Sequence, residues 1–209
     1  MKNLKIIQVN LNGQLIASEQ LRDRCVREKL DIILAQEPPI NGNGLVANFE
    51  SCLQVQRSSS PRLAVAKNSL DGREESSVVL VSAYFKYSRP TTDFTEIVRS
   101  IAQEHRSLLV CADSNGHSSH WHSQDTNARG RIIEEMIDDL LLHIHNVPTN
   151  IPTYERAQMG SSNIDLTLTT ANLKWSISNW TVKNDTDSDH NTISFELRTN
   201  MKVPKEEPI

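Results

Sequence analysis

The sequence predicts a layered domain of mixed helix and strand, α/β or α+β. Short apolar runs bounded by turn residues read as buried strands, and between them lie longer stretches with the apolar spacing of helices. Size agrees: 209 residues make one domain or two small ones, with enough chain to bury a sizeable core.

In chain order, residues 4–9 form the first buried strand. Residues 16–29 have helical spacing, with Leu21, Cys25 and Val26 on one face and Ser18 as N-cap. DIILAQ, residues 31–36, is the second strand, and EPPINGNG after it is turn chemistry. Residues 63–66 and 78–84 are strands on either side of a turn region. Thr92 or Asp93 caps a helix running to about Glu104, with Phe94, Ile97, Val98 and Ile101 on its apolar side. Residues 108–112 are again a buried strand.

Residues 131–142 give the clearest helix. Ile132, Ile133, Met136, Ile137, Leu140 and Leu141 share a stripe, opposite Glu134, Glu135, Asp138 and Asp139. Strands follow at residues 164–169, 175–182 and 192–197. The domain is expected over residues 1–199, with 200–209 as a solvated tail or linker. No internal repeat is present.

Composition narrows the class. Hydrophobic residues make up 37% and charged residues 23%, which suits a globular protein. No run approaches the ~20 apolar residues of a membrane helix, and the polar start MKNLKIIQVNLNG reads as a strand rather than a signal peptide. Three cysteines without CxxC spacing argue against a disulfide framework and for a reducing compartment, with Cys25 and Cys111 as core residues. The net charge of −4 and pI near 6.0 argue against a free-standing nucleic-acid binder. A carboxylate-rich metal site accounts for part of that charge. The charge is also uneven, because residues 54–73 carry Arg57, Arg62, Lys67 and Arg73 against Asp71 alone. That stretch reads equally as a phosphate-facing surface or a solvated loop.

The informative pattern is where acids and amides fall. Asn10 and Asn12 close the first strand and Glu37 the second. Asp113 and Asn115 close LLVCA, Asp165 interrupts an apolar run, and Asp189-His190 precedes the last strand. Each residue alone has an ordinary reading as a turn former. Asp165 is the exception, since an acid within NIDLTLT needs a partner if buried, and His190 is a candidate. Taken together, polar groups placed where buried strands emerge predict a site at one edge of the fold. His117, His120 and His122 have HxxHxH spacing, but no cysteine or second cluster accompanies them as a zinc site would require.

The series QVNLN, QEP, SAYF, ADSN, NID and SDHN, in that order, resembles the endonuclease/exonuclease/phosphatase superfamily over residues 4–197. The segment DSNGHSSHWHSQDTNARGRIIEEMI is similar to one in the endonuclease domains of non-LTR (LINE-type) retrotransposons. SSNIDLTL lacks the WRIDY-like motif of abasic-site repair enzymes. The resemblance implies a four-layer α/β/β/α sandwich of the DNase I/exonuclease III type and a magnesium-dependent phosphodiesterase, with manganese as a substitute. By that likeness Glu37 holds the ion with Asn10 and Asp189. Asp113 orients or deprotonates the attacking water with Asn115. His190, held by Asp165, and Tyr84 contact the phosphate.

It further implies a protruding hairpin within residues 153–165. There Thr153, Tyr154, Arg156, Gln158 and Ser162, with Asn12 at the first strand, would meet double-stranded DNA. The expected product is a nick whose 3′-hydroxyl primes reverse transcription. The partner is the reverse transcriptase domain of the same polyprotein, with no membrane and no small-molecule cofactor. Nuclear action after cytoplasmic synthesis follows. Two alternatives remain at this level: an abasic-site repair endonuclease, and a catalytically silent nucleic-acid-binding domain.

Overall fold

A computed structural model describes residues 3–50, 52–54, 63–69, 77–158 and 160–198. The strands are β1 (Asn3–Asn10), β2 (Ile32–Gln36), β3 (Leu63–Ser69), β4 (Ser77–Tyr84), β5 (Leu108–Asp113), β6 (His143–Ile144), β7 (Tyr154–Arg156), β8 (Gly160–Ser162), β9 (Asp165–Thr169), β10 (Ile177–Lys183) and β11 (Thr192–Arg198). The helices are α1 (Leu15–Glu28), α2 (Thr91–Glu104) and α3 (Ala128–Asp139). One sheet has the order β10-β11-β1-β2, the other β3-β4-β5-β9-β6, and β7-β8 forms a separate hairpin.

The four layers follow from the strands' period of two. On β1, Ile7 and Val9 face α1 and pack with Ala17 and Leu21, while Ile6 faces the second sheet. On β4, Val78 and Leu80 face the first sheet, whereas Val79 and Val81 pack against α2 and α3 through Phe94, Val98, Ile133 and Met136. Each central strand is buried on both faces. That is why they read as continuous apolar runs rather than alternating ones.

Between the sheets two glutamines bridge the apolar core. Gln8 Oε1 accepts from Thr167 Oγ1 (3.0 Å), which also accepts from Trp180 Nε1 (3.0 Å). Gln36 Nε2 donates to Ser82 Oγ (3.0 Å) and Cys111 O (3.2 Å). An unpaired amide here would cost about 1–3 kcal/mol, so these bonds penalise sliding of one sheet over the other.

Several expectations are corrected. Ser18 lies inside α1, buried, with its hydroxyl donating to Ala47 O (2.7 Å), and Gln14 occupies the N-cap without a side-chain bond. Val26 is exposed rather than on the apolar face. Pro90 precedes α2, so Thr92 and Asp93 fall within its first turn. α3 starts earlier than expected, capped by Asn127, whose side chain accepts from Gly130 N–H. Leu141 is exposed in a left-handed turn that ends this helix. Trp175 is exposed ahead of β10, its ring under Lys174. The expected tail at 200–209 and Arg57, Arg62 and Arg73 of the basic stretch lie outside the described residues. Among the described residues no helix is long and apolar enough to cross a membrane.

Candidate active site

Strand direction brings the polar residues to one edge. β1 and β2 are parallel and end there, which places Asn10 and Glu37 side by side. β4 and β5 are parallel and end with Tyr84 opposite Asp113. β9 and β11 run antiparallel to β5 and β1 and begin at the same edge, delivering Asp165 opposite Asp113 and placing Asp189 and His190 just before β11. The loops at these ends are tightly wound: Asn12, Glu37 and Asn115 all have positive φ (46°, 43° and 50°). Such strain in non-glycine residues concentrates where surrounding structure fixes it.

Asp113 is the hub. Its Oδ2 accepts from Asn10 Nδ2 (2.7 Å) and lies 3.6 Å from His190 Nε2, while its Oδ1 accepts from Asn115 N–H (3.2 Å). His190 Nδ1 lies 3.0 Å and 3.2 Å from the two Asp165 oxygens. Asp113, Asp165 and His190 are all buried, at 1%, 2% and 6% exposure. Asn10 Nδ2 also reaches Glu37 Oε2 (3.3 Å), and Asn12 Nδ2 donates to Asp189 Oδ1 (3.2 Å). Ser188 ties the loops together: its hydroxyl donates to Asn10 O (2.6 Å) and accepts from His190 N–H (3.2 Å).

Burial sets the protonation states. It pushes the Asp113 carboxyl up and the Asp165 charge pushes it further, against His190, the Asn10 amide and the Asn115 N–H, leaving it at about 7. Burial alone would drive His190 down. Asp165, through charge and hydrogen bond, with Asp113 and Asp189, more than offsets that and lifts it to about 9. The edge thus pairs a carboxyl poised near neutrality with an imidazolium that persists through neutral pH.

The donor set fits a hard divalent cation. Asp113, Asp165 and His190 bring potential ligand atoms within 4.8 Å of one another, and of these the two carboxylates suit such an ion, whereas an imidazolium has no lone pair to offer. Glu37 and Asp113 oxygens converge on the single Asn10 amide. Crowded carboxylates that force one of their number towards protonation are what an oxygen-seeking cation relieves. The three candidate zinc histidines face apart. His117 Nδ1 pairs with Asp125, His120 Nδ1 lies by Glu134, and His122 Nε2 is bonded to Asn146 O.

The β7–β8 hairpin stands beside this edge and is joined to it. Glu155 N–H donates to Asp189 O (2.8 Å), Asn191 N–H to Thr153 O (2.8 Å), and the Tyr154 ring meets His190 edge-on at 5.0 Å. Arg156 and Gln158 are exposed on it, with Ser162 half-buried. Thr153, expected at the DNA, is instead turned inward. It is 1% exposed, and its hydroxyl accepts from the N–H groups of Ile164 (3.0 Å) and Asp165 (3.1 Å). It fixes Asp165, and its oxygen faces the backbone rather than solvent. Sequence reasoning passed over Ser188 and Arg129. The NARG string, whose asparagine caps α3 and whose glycine packs on backbone, was the signal available for the second.

Fold and edge together match the endonuclease/exonuclease/phosphatase superfamily. The chain belongs to the endonuclease-reverse transcriptase family, whose model matches residues 78–194. It is similar to the endonuclease domain of TRAS1, a telomere-specific non-LTR retrotransposon, at 26% identity and TM-score 0.80 over 95% of this chain and 100% of that one. Two further structures share the fold. The AP endonuclease LMAP from Leishmania major matches with TM-score 0.75 at 11% identity, over 95% of this chain and 89% of that one. The 3′-5′ exonuclease NExo from Neisseria meningitidis matches with TM-score 0.64 at 15% identity, over 93% and 100%. No curated protein matches by sequence.

Proposed function

We propose that this chain nicks double-stranded DNA in a divalent-cation-dependent reaction, with magnesium as the physiological ion. It leaves a 3′-hydroxyl that primes reverse transcription by the polymerase of the same polyprotein, acting in the nucleus. The observation that supports this most directly is the buried Asp113–His190–Asp165 chain, with contacts of 3.6 Å and 3.0 Å, beside the convergent Glu37 and Asn10. Similarity to a telomere-specific retrotransposon endonuclease supports the choice of DNA and of the retrotransposon setting.

Each residue has a role that its surroundings support. Asp113, near neutrality, accepts the proton of the attacking water, the match of base to operating pH that general-base catalysis favours. Asn115, set by its N–H bond to Asp113, helps orient that water. His190 enters as imidazolium, kept charged and oriented by Asp165, and stabilises charge building on the phosphate. Tyr84, paired with Asp113 across the strands, hydrogen-bonds the phosphate. Glu37, Asn10 and Asp189 would hold the cation. When bound, it neutralises phosphate charge and eases departure of the 3′ oxygen. Asn12, Tyr154, Arg156, Gln158 and Ser162 would contact the duplex.

Supercoiled plasmid with magnesium, manganese or EDTA tests the reading. Relaxation with either metal, its loss in EDTA, and nicks extendable by a DNA polymerase are expected. Glu37→Gln should keep the fold and lose nicking. No relaxation under any metal, or cleavage confined to abasic duplexes, overturns the proposal.

A further inference from the structure

Asn115 is held from a side that the site chemistry does not explain. Its Nδ2 donates to Phe85 O (3.4 Å), in the loop that follows β4. The same carbonyl accepts from Arg129 Nη1 (3.2 Å). Arg129 Nη2 reaches on to Tyr87 O and Arg89 O, both at 3.0 Å, and its guanidinium lies 5.5 Å from the Tyr87 ring centre. With a longer bond from Nη2 to Lys86 O (3.5 Å), one guanidinium therefore gathers four backbone carbonyls of a loop that is otherwise bonded to itself only through Arg89 N–H to Lys86 O (3.0 Å) among the described backbone pairs. Four carbonyls converging on one cation repel each other without it.

The other end of Arg129 is equally fixed. It sits in the first turn of α3, locked against the turn that follows Asp113. Asn127 N–H donates to His117 O (3.2 Å), and Asn127 Oδ1 accepts from His117 N–H (3.2 Å). A Cβ on Gly130 would lie 1.8 Å from His117 O, so only glycine permits this approach. Arg129 Cγ lies 3.4 Å from where a Cβ on Gly116 would stand, which lays the side chain along the 113–116 turn. Phe85 N–H in turn donates to Asp113 O (2.8 Å). Helix, turn and loop thus close a ring around Asn115, and the guanidinium completes it.

We propose that Arg129 is a positioning residue for the nicking reaction: it sets the Phe85 carbonyl, and through it the Asn115 amide and the 85–89 loop, in the reactive arrangement. The proposal rests on the nicking reading above. Lysine cannot replace it, because a single ammonium does not span four carbonyls as the planar fork does. The test uses this chain with Arg129→Ala and Arg129→Lys. Single-turnover nicking and duplex affinity are measured for each, alongside amide hydrogen exchange of residues 85–89 in metal-free protein.

Both variants should lose nicking rate by roughly 100-fold, the scale of a misplacement near 1 Å, with duplex affinity unchanged within about threefold. Exchange of the Phe85 and Arg89 amides should accelerate. Methylguanidinium at non-denaturing concentration should restore rate and protection to Arg129→Ala, which general unfolding would not allow. Near-normal nicking, unaltered exchange at 85–89, full activity in Arg129→Lys, or a loss residing in affinity would each overturn it. Wild-type protein that nicks nothing counts against the nicking reading; the exchange comparison then still decides whether Arg129 holds the loop.

Discussion

Replacing Asp165 with asparagine removes one charge from the buried chain while keeping its shape. In the intact site His190 is lifted from 6.5 to about 9 although burial opposes its charge. The surroundings thus favour the imidazolium by about 3 kcal/mol net. Asp165 is the foremost raising influence, by charge and by hydrogen bond, with Asp113 and Asp189 behind it. Without it burial dominates, and His190 should titrate below neutrality. Asp113 should fall too, since Asp165 repels its charged form.

Two measurements follow from that shift. Nicking at pH 7.5 by Asp165→Asn should drop by about 10²–10³, the scale for loss of one charge-stabilising donor. The imidazole resonance of His190, titrated by NMR in metal-free protein, should move from about 9 to below neutrality. Stability gives an independent check. A histidine with a raised folded pKa contributes stability in full below about pH 6.5, and loses it as pH rises through 9. The variant should therefore be less stable than wild type at pH 6, by up to about 3 kcal/mol, and the gap should narrow by pH 10. A His190 that still titrates near 9 in the variant, or a gap that does not depend on pH, would refute the assignment of Asp165 as its support.

Three further perturbations probe other parts of the structure. Gly130→Ala places a methyl 1.8 Å from a backbone oxygen, and should destabilise by about 1–3 kcal/mol despite the better helix propensity of alanine; a urea midpoint equal to or above wild type would contradict the close packing. His145, bonded to Thr169 Oγ1 (2.7 Å), is held down to about 4 by burial, then by His143 and Lys174. Its stability contribution is present above pH 6.5 and is lost as pH falls to 4, by up to about 3 kcal/mol; acid titration of circular dichroism should show that slope, reduced in His145→Gln. Replacing residues 156–160 with a short neutral turn, while keeping Tyr154 and Glu155 on Asp189 and His190, should leave plasmid nicking within a few-fold and flatten the pattern of cleavage sites on a long duplex. An unchanged pattern would move target choice elsewhere.

The layers were legible because strand and helix periods differ, and because a strand covered on both faces has no polar face to show. Most of the errors come from contacts distant in sequence that override local signals, and one comes from helix geometry itself. Ser18 has the chemistry of a cap, yet Ala47 O offers its hydroxyl a buried partner one turn into the helix. Val26 follows Cys25 directly, and a step of one residue rotates it away from the face that Leu21 and Cys25 share. Gln8 and Gln36 stand in apolar strands with no local hint that they bridge two sheets, because their partners are more than forty positions away.

The site divides along the same line. The polar residues gathered at this edge were legible one strand end at a time, since an acid or amide closing a buried strand is visible without knowing its neighbours. What the string of residues hides is how those ends are held. Thr153 has the look of a phosphate ligand, but its oxygen is occupied by two backbone N–H groups next to Asp165. Arg129 has the look of a surface helix residue, but it spans to carbonyls forty positions earlier. Both act on the backbone of a loop rather than on another side chain, and backbone acceptors are the same at every position, so no pairing of residue types betrays them. The loops at the candidate site are therefore bonded in part by residues whose sequence signal is weakest. Substitutions at Thr153 and Arg129 should change rate with less effect on duplex affinity than substitutions at the exposed Arg156.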